Sequence, residues 1–100
     1  MSEANSRITP PRVHMNGTAK STLIADFTGA MAAIRAARKA VELAAPHARD
    51  YYVRDDGNLA FRVAQRQHAA RYKALDDMHA EFEALAMAVD DQPAAFGRAS

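Results

Sequence analysis

Between residues 18 and 45 the apolar positions recur at alternating steps of four and three, as Leu23, Phe27, Ala30, Ile34, Ala37, Val41 and Ala44. That spacing predicts an amphipathic helix. Ile24 and Met31 widen its stripe, as expected for a helix with more than one packing partner. Asn16-Gly17 is a turn dipeptide, Thr18 is placed as the helix N-cap with Ser21 or Thr22 as alternatives, and Pro46 closes the helix after Ala45. A second helix is predicted to start between Asp56 and Leu59 and to run to about Val89, ahead of Pro93. Its stripe is Phe61, Ala64, His68, Arg71, Leu75, Met78, Phe82, Leu85 and Val89. Two of those seam positions, His68 and Arg71, are polar.

No strand pattern or internal repeat interrupts this reading, so the expected fold is all-α. It is a two-helix antiparallel hairpin over residues 14–92, preceded by an extended, flexible arm over 1–13 that contains Pro10-Pro11 and followed by a flexible tail over 93–100. A bend near Tyr51 and Tyr52 would set His68 and Arg71 opposite Ile34, Arg35 and Arg38, gathering like charges beside the seam. Glu42 and Asp50 are then the carboxylates within reach of Arg71. A chain of 100 residues buries a small fraction of its surface. The wide stripes therefore predict a helical-bundle homo-oligomer, which for a dimer would be a four-helix bundle.

The formal net charge of +1 conceals a polarity along the chain. Residues 35–73 carry nine bases against four acids, a net of +5, whereas residues 76–91 carry six acids and no base. In a hairpin the turn end is basic and the open end acidic, a field that draws an anion to the turn or pairs subunits head to tail. The chain has no cysteine, which removes disulfides and thiolate sites. The first residues form no apolar leader, and no run approaches the ~20 apolar residues of a membrane span. The expectation is a cytoplasmic protein without membrane contact. Asn16-Gly17-Thr18 matches a glycosylation sequon but reads as a turn and cap.

Two polar motifs sit where bland turns would do. In Pro46-His47-Ala48-Arg49-Asp50-Tyr51-Tyr52, Arg49 offers a fork for phosphate and Tyr51 and Tyr52 offer faces for a base. The alternative is a structured loop whose tyrosines cap the hairpin. In His14-Met15-Asn16-Gly17-Thr18, His14, Asn16 and Thr18 stand at a helix N-terminus that attracts anions, or simply form a capped turn. His47, His68 and Arg71 complete the candidate ligand-binding set, and His68 with Arg71 is equally a buried polar layer that fixes register. The motifs lie at opposite ends of the first helix, so one chain cannot easily join them. The four histidines lack metal-ligand spacing and no nucleophile or phosphate-loop motif is present, so neither catalysis nor a cofactor is expected. Nucleic acid is disfavoured by the acidic second half of helix two and by the absence of a recognition motif.

Taken together, the HMNGT motif at residues 14–18, the PHARDYY motif at 46–52, and His68 with Arg71 resemble a group of small helical proteins encoded by tailed phages and prophages of proteobacteria. The resemblance covers about residues 12–90 and carries no assigned activity. In architecture alone the chain is similar to phage sponge proteins that sequester cyclic-nucleotide or ADP-ribose-type immune signals. The expected function is thus non-enzymatic sequestration of a small anionic, nucleotide-type signal, a form of anti-phage defence evasion. The alternatives are an inhibitor that docks on a host protein and a minor virion or assembly protein.

Overall fold

The computed structural model describes residues 7–94. It consists of helix α1, Lys20–Leu43, a 3-10 turn, Ala48–Asp50, and helix α2, Gly57–Asp90. Residues 1–6 of the expected arm and most of the expected tail lie outside the described residues. The two helices pack side by side in a shape 67 × 25 × 17 Å, with a radius of gyration of 19.6 Å against the ~13 Å of a compact 100-residue domain. It is one layer of helices, where a closed core ordinarily needs two.

α1 begins one residue later than Thr18 as its N-cap implied, with Ala19 at the cap position. His14 accepts from the Gly17 amide at 3.2 Å, so the turn closes at residues 14–17 and the chain stays extended through Ala19, the residue at the cap position. No side chain caps α1. Thr18 is therefore not its N-cap, because the chain stays extended one residue past it, and Ser21 and Thr22 lie inside the helix.

The register also differs from that of a bend at Tyr51 and Tyr52. Arg38 pairs with Asp76 at 2.8 Å, Arg35 meets His79 at 3.0 Å, and the Phe27 and Phe82 rings lie 6.1 Å apart. At this register α2 overshoots the end of α1 by about three turns. The chain after Leu43 does not double back at once; it continues beside the start of α2, where the Tyr51 ring packs 5.8 Å from Phe61. His68 and Arg71 consequently fall level with the last turn of α1 rather than with Ile34 and Arg35. Gly57 lets the loop return: a Cβ there would stand 2.6 Å from the Tyr51 carbonyl oxygen, which is backbone and cannot yield. Arg54 grips Asp56 at 2.8 and 3.2 Å across this return and holds the Asp56 carboxyl below its usual range.

The third structural piece is the arm. The Gln92 side-chain amide acts as a clasp: its Nε2 donates to the Pro11 carbonyl at 2.7 Å and its Oε1 accepts from the Val13 amide at 2.7 Å. Lys20 Nζ donates to the Gln92 carbonyl, and Arg7 stands 3.5 Å from Glu81 and 3.7 Å from Asp77. Residues 7–13 thus run along the last turns of α2, with Ile8, Pro11 and Val13 half-buried. This extra cover explains where the core closes. In the turns of α2 along which the arm runs Val89 is fully buried and Ala86 nearly so, Ile34 is buried in mid-seam, and most other seam positions are only half-buried.

Three outcomes follow from these contacts. Gly57→Ala is expected to cost about 1–3 kcal/mol in a urea melt, because the loop must shift as a unit; a neutral change would show that the return has room. Gln92→Ala removes both arms of the clasp and should cost about 1–2 kcal/mol while exposing the Val13 amide to hydrogen exchange. Hydrogen bonding from Lys73, with Arg7 beyond it, holds the Asp77 carboxyl below its usual range. Its contribution is full above the unfolded value of about 3.9 and is lost as pH falls through the lower folded value. Resonances of Ile8 should therefore move toward disordered positions on acidification below about pH 4 and hold still above it.

Candidate functional site

The two flat faces of the hairpin are chemically different. Helical periodicity and the observed pairs put Arg35, Arg38, Lys39 and Glu42 of α1 on one face with Tyr72, Asp76 and His79 of α2. This face is zipped by polar contacts: Arg38 bonds Asp76 and lies 5.4 Å over the Tyr72 ring, while Arg35 bonds His79. Between them runs a groove of about 470 Å³ lined by Arg35, Arg38, Lys39, Glu42 and Tyr72. Three cations face one carboxylate there, a balance that suits an anion. Burial pushes the Tyr72 phenol above its ordinary value, and the Glu42 carboxylate adds to the shift.

The opposite face carries Asp26, Ala30, Ala33 and Ala37 of α1 beside Gln67, Arg71, Ala74 and Met78 of α2. Asp26, Ala33, Gln67, Arg71, Ala74 and Met78 are exposed on it. Among the described residues no ion pair or side-chain hydrogen bond crosses between the helices on this side.

The residues expected to bind a ligand are not gathered in one place. His14, Asn16 and Thr18 are exposed at the start of α1, whereas His47, Arg49 and Tyr52 are exposed beyond its far end. The 24 residues of α1 separate the groups by about 36 Å. Tyr51 is turned inward onto Phe61, as a hairpin cap would be. Of the two shallow grooves at the loop, one is lined by Arg54 with Asp56 and the other by Arg54 with Asp55 and Asp56, so neither presents net positive charge.

His68 and Arg71 part company. His68 is 6 % exposed, its ring meets the edge of Tyr72 at 5.2 Å, and its Nε2 is buried without a hydrogen-bond partner. Arg71 is exposed, correcting its placement on the seam: the three-residue step from His68 carries it past the contact line onto the flank. Among the described residues it pairs with neither Glu42 nor Asp50, and Arg35 and Arg38, expected to crowd it, are engaged with His79 and Asp76. The residues that sequence reasoning missed are Tyr72 and Gln92. Tyr72 stands one turn after His68, a spacing that could have marked it; nothing local marked Gln92, whose partners are about eighty residues away.

Among the described residues no cluster of His, Asp or Glu could hold a metal ion, and no helix is long and apolar enough to cross a membrane. No family model, curated protein or solved structure matches the chain.

The unpartnered Nε2 of His68 has a measurable consequence. His68→Leu should leave stability unchanged or raise it by up to about 2 kcal/mol, since it removes a buried polar atom that gains nothing in the fold. A loss above about 1 kcal/mol in the melt would mean that the imidazole has a partner. Arg71→Leu, on an exposed flank, should change folding stability by less than about 0.5 kcal/mol.

Proposed function

We propose that the chain is a non-enzymatic binding protein that works by helix-to-helix docking through the face opposite the polar zip. One observation carries this reading: the hairpin is a single layer whose one face is sealed by Arg38–Asp76 and Arg35–His79 while the other offers Ala33, Ala74 and Met78 to solvent. Exposed small and apolar residues beside a thin core, set among Asp26, Gln67 and Arg71, favour a helix pair that completes itself on another helix. The resemblance to small phage proteins supports a setting in which such a module binds a host protein or joins a viral assembly. It equally allows self-assembly into the helical-bundle homo-oligomer.

The groove of Arg35, Arg38, Lys39 and Tyr72 favours a second reading, sequestration of a small anion such as a cyclic nucleotide or ADP-ribose derivative. In that reading Arg35 and Lys39 hold phosphate at mid-hairpin, and the exposed His14, Asn16, Thr18, His47, Arg49 and Tyr52 join the site only across copies.

Native mass spectrometry of the chain purified from a bacterial host tests both. Docking predicts a defined assembly, either a whole-number multiple of the 10.9 kDa chain or a stoichiometric complex with one other protein. Anion sequestration predicts a small-molecule adduct that excess phosphate displaces. A bare monomer at micromolar concentration would contradict the two together.

A further inference from the structure

The groove on the polar face holds positive charge that its own chain leaves unanswered. Arg35 and Lys39 line it from α1, four residues apart and so neighbours on the helix surface. Among the described residues Lys39 makes no ion pair and Arg35 meets no carboxylate; the partner of Arg35 is the His79 ring, 3.0 Å from Nη1 to Nε2. A guanidinium can only donate, so His79 Nε2 accepts, and in this contact the imidazole is neutral with its proton on Nδ1. An oxyanion is the stronger partner for a guanidinium, because it brings charge as well as lone pairs. Arg38 is placed differently, since Asp76 neutralises it at 2.8 Å and it covers one face of the Tyr72 ring.

Resting on the anion-sequestration reading of this groove, we infer that it takes a tetrahedral oxyanion, a sulfate or phosphate group, between Arg35 and Lys39, and that His79 makes the capture proton-linked. The anion draws Arg35 off the ring. The freed Nε2 takes a proton from water, and the imidazolium becomes a third cation beside the bound group. At about 470 Å³ the groove also has room for an organic portion, so the free and esterified forms of the group both satisfy it.

The sign of the linkage follows from the two states. Without ligand, the Arg35 contact occupies the Nε2 lone pair and its charge opposes a proton there; with ligand, the negative charge favours one. The bound state holds more protons, so affinity rises as pH falls through the range of about 5 to 8 in which histidines change charge. The charged groups around His79 are Arg35 and Arg38 from α1 and, on α2 itself, Asp76 three residues before and Glu83 four after. Asp76 is held by Arg38. Glu83 is exposed and lies about 6 Å along the axis on the side away from Lys39, so it leaves the Arg35–Lys39 pair uncompensated.

Calorimetric titration of the full chain with sulfate, and separately with cyclic AMP, tests this, because neither probe changes its own charge between about pH 5.5 and 8. The wild type is expected to bind about fivefold or more tightly at the lower pH, and to take up as much as one proton per anion, read from the heats in buffers of different ionisation enthalpy. Sulfate bound more tightly than cyclic AMP marks a free oxyanion as the ligand, and the reverse marks an esterified one. Arg35→Ala and Lys39→Ala should each weaken binding about fivefold or more, with circular dichroism unchanged. In His79→Gln, whose amide takes no proton, the gain on acidification should vanish. Absence of binding by either probe at any pH overturns the anion reading of the groove and this inference with it. Binding that needs Arg35 and Lys39 but is equal at both pH values, or that gains as much on acidification in His79→Gln, leaves the groove standing and overturns the proton linkage.

Discussion

Everything in this molecule follows from the fact that two helices side by side make one layer. A single seam can hide one stripe of each helix, and here Ile34, Ala86, Val89 and His68 are the residues it buries well. The chain compensates differently at each end. At the open end the arm, clasped by Gln92 and held by Arg7 on Asp77 and Glu81, adds a third segment over α2, and this is where Val89 becomes fully buried. At the other end α1 stops short and the loop takes its place, with Tyr51 on Phe61. Along one face, Arg38, Tyr72 and Asp76 close the seam with charge. The remaining face leaves Ala33, Ala74 and Met78 exposed in its middle.

The helices themselves were legible in the sequence because a 3.6-residue period is a local property. Both were located to within about two residues, as were the all-helical class and the antiparallel hairpin. The register was not legible. It depends on how a long loop is used, and Tyr51 packing forward onto Phe61 moves the effective bend about five residues beyond its expected place. That shift alone removes His68 and Arg71 from the neighbourhood of Arg35 and Arg38. The arm's docking was likewise hidden, since Gln92 recognises backbone groups of Pro11 and Val13 that carry no sequence signature. Thr18 failed as a cap for a local reason: Asn16-Gly17 was read correctly as a turn, but the extended residues after it were not foreseen.

The residues expected to form a site are spread over both ends of the hairpin. Cations beside an aromatic ring do line a groove, yet they are Arg35, Arg38, Lys39 and Tyr72 at mid-hairpin rather than Arg49 with Tyr51 or Tyr52 at the loop. The polar residues that looked anomalous divide by burial. His68 is interior, while Arg71 is exposed on the face opposite the polar contacts of Arg35 and Arg38.

The central claim is that a second layer completes this fold. Its most direct test is the urea midpoint of the wild-type chain measured over a hundredfold range of protein concentration. Association coupled to folding stabilises by mass action, so the midpoint should rise steadily with concentration, by an amount equivalent to about 2.7 kcal/mol over that range if unfolding and dissociation are one step. A midpoint that stays fixed across the whole range would contradict the account, because it would mean that the single-layer hairpin is the complete folded unit.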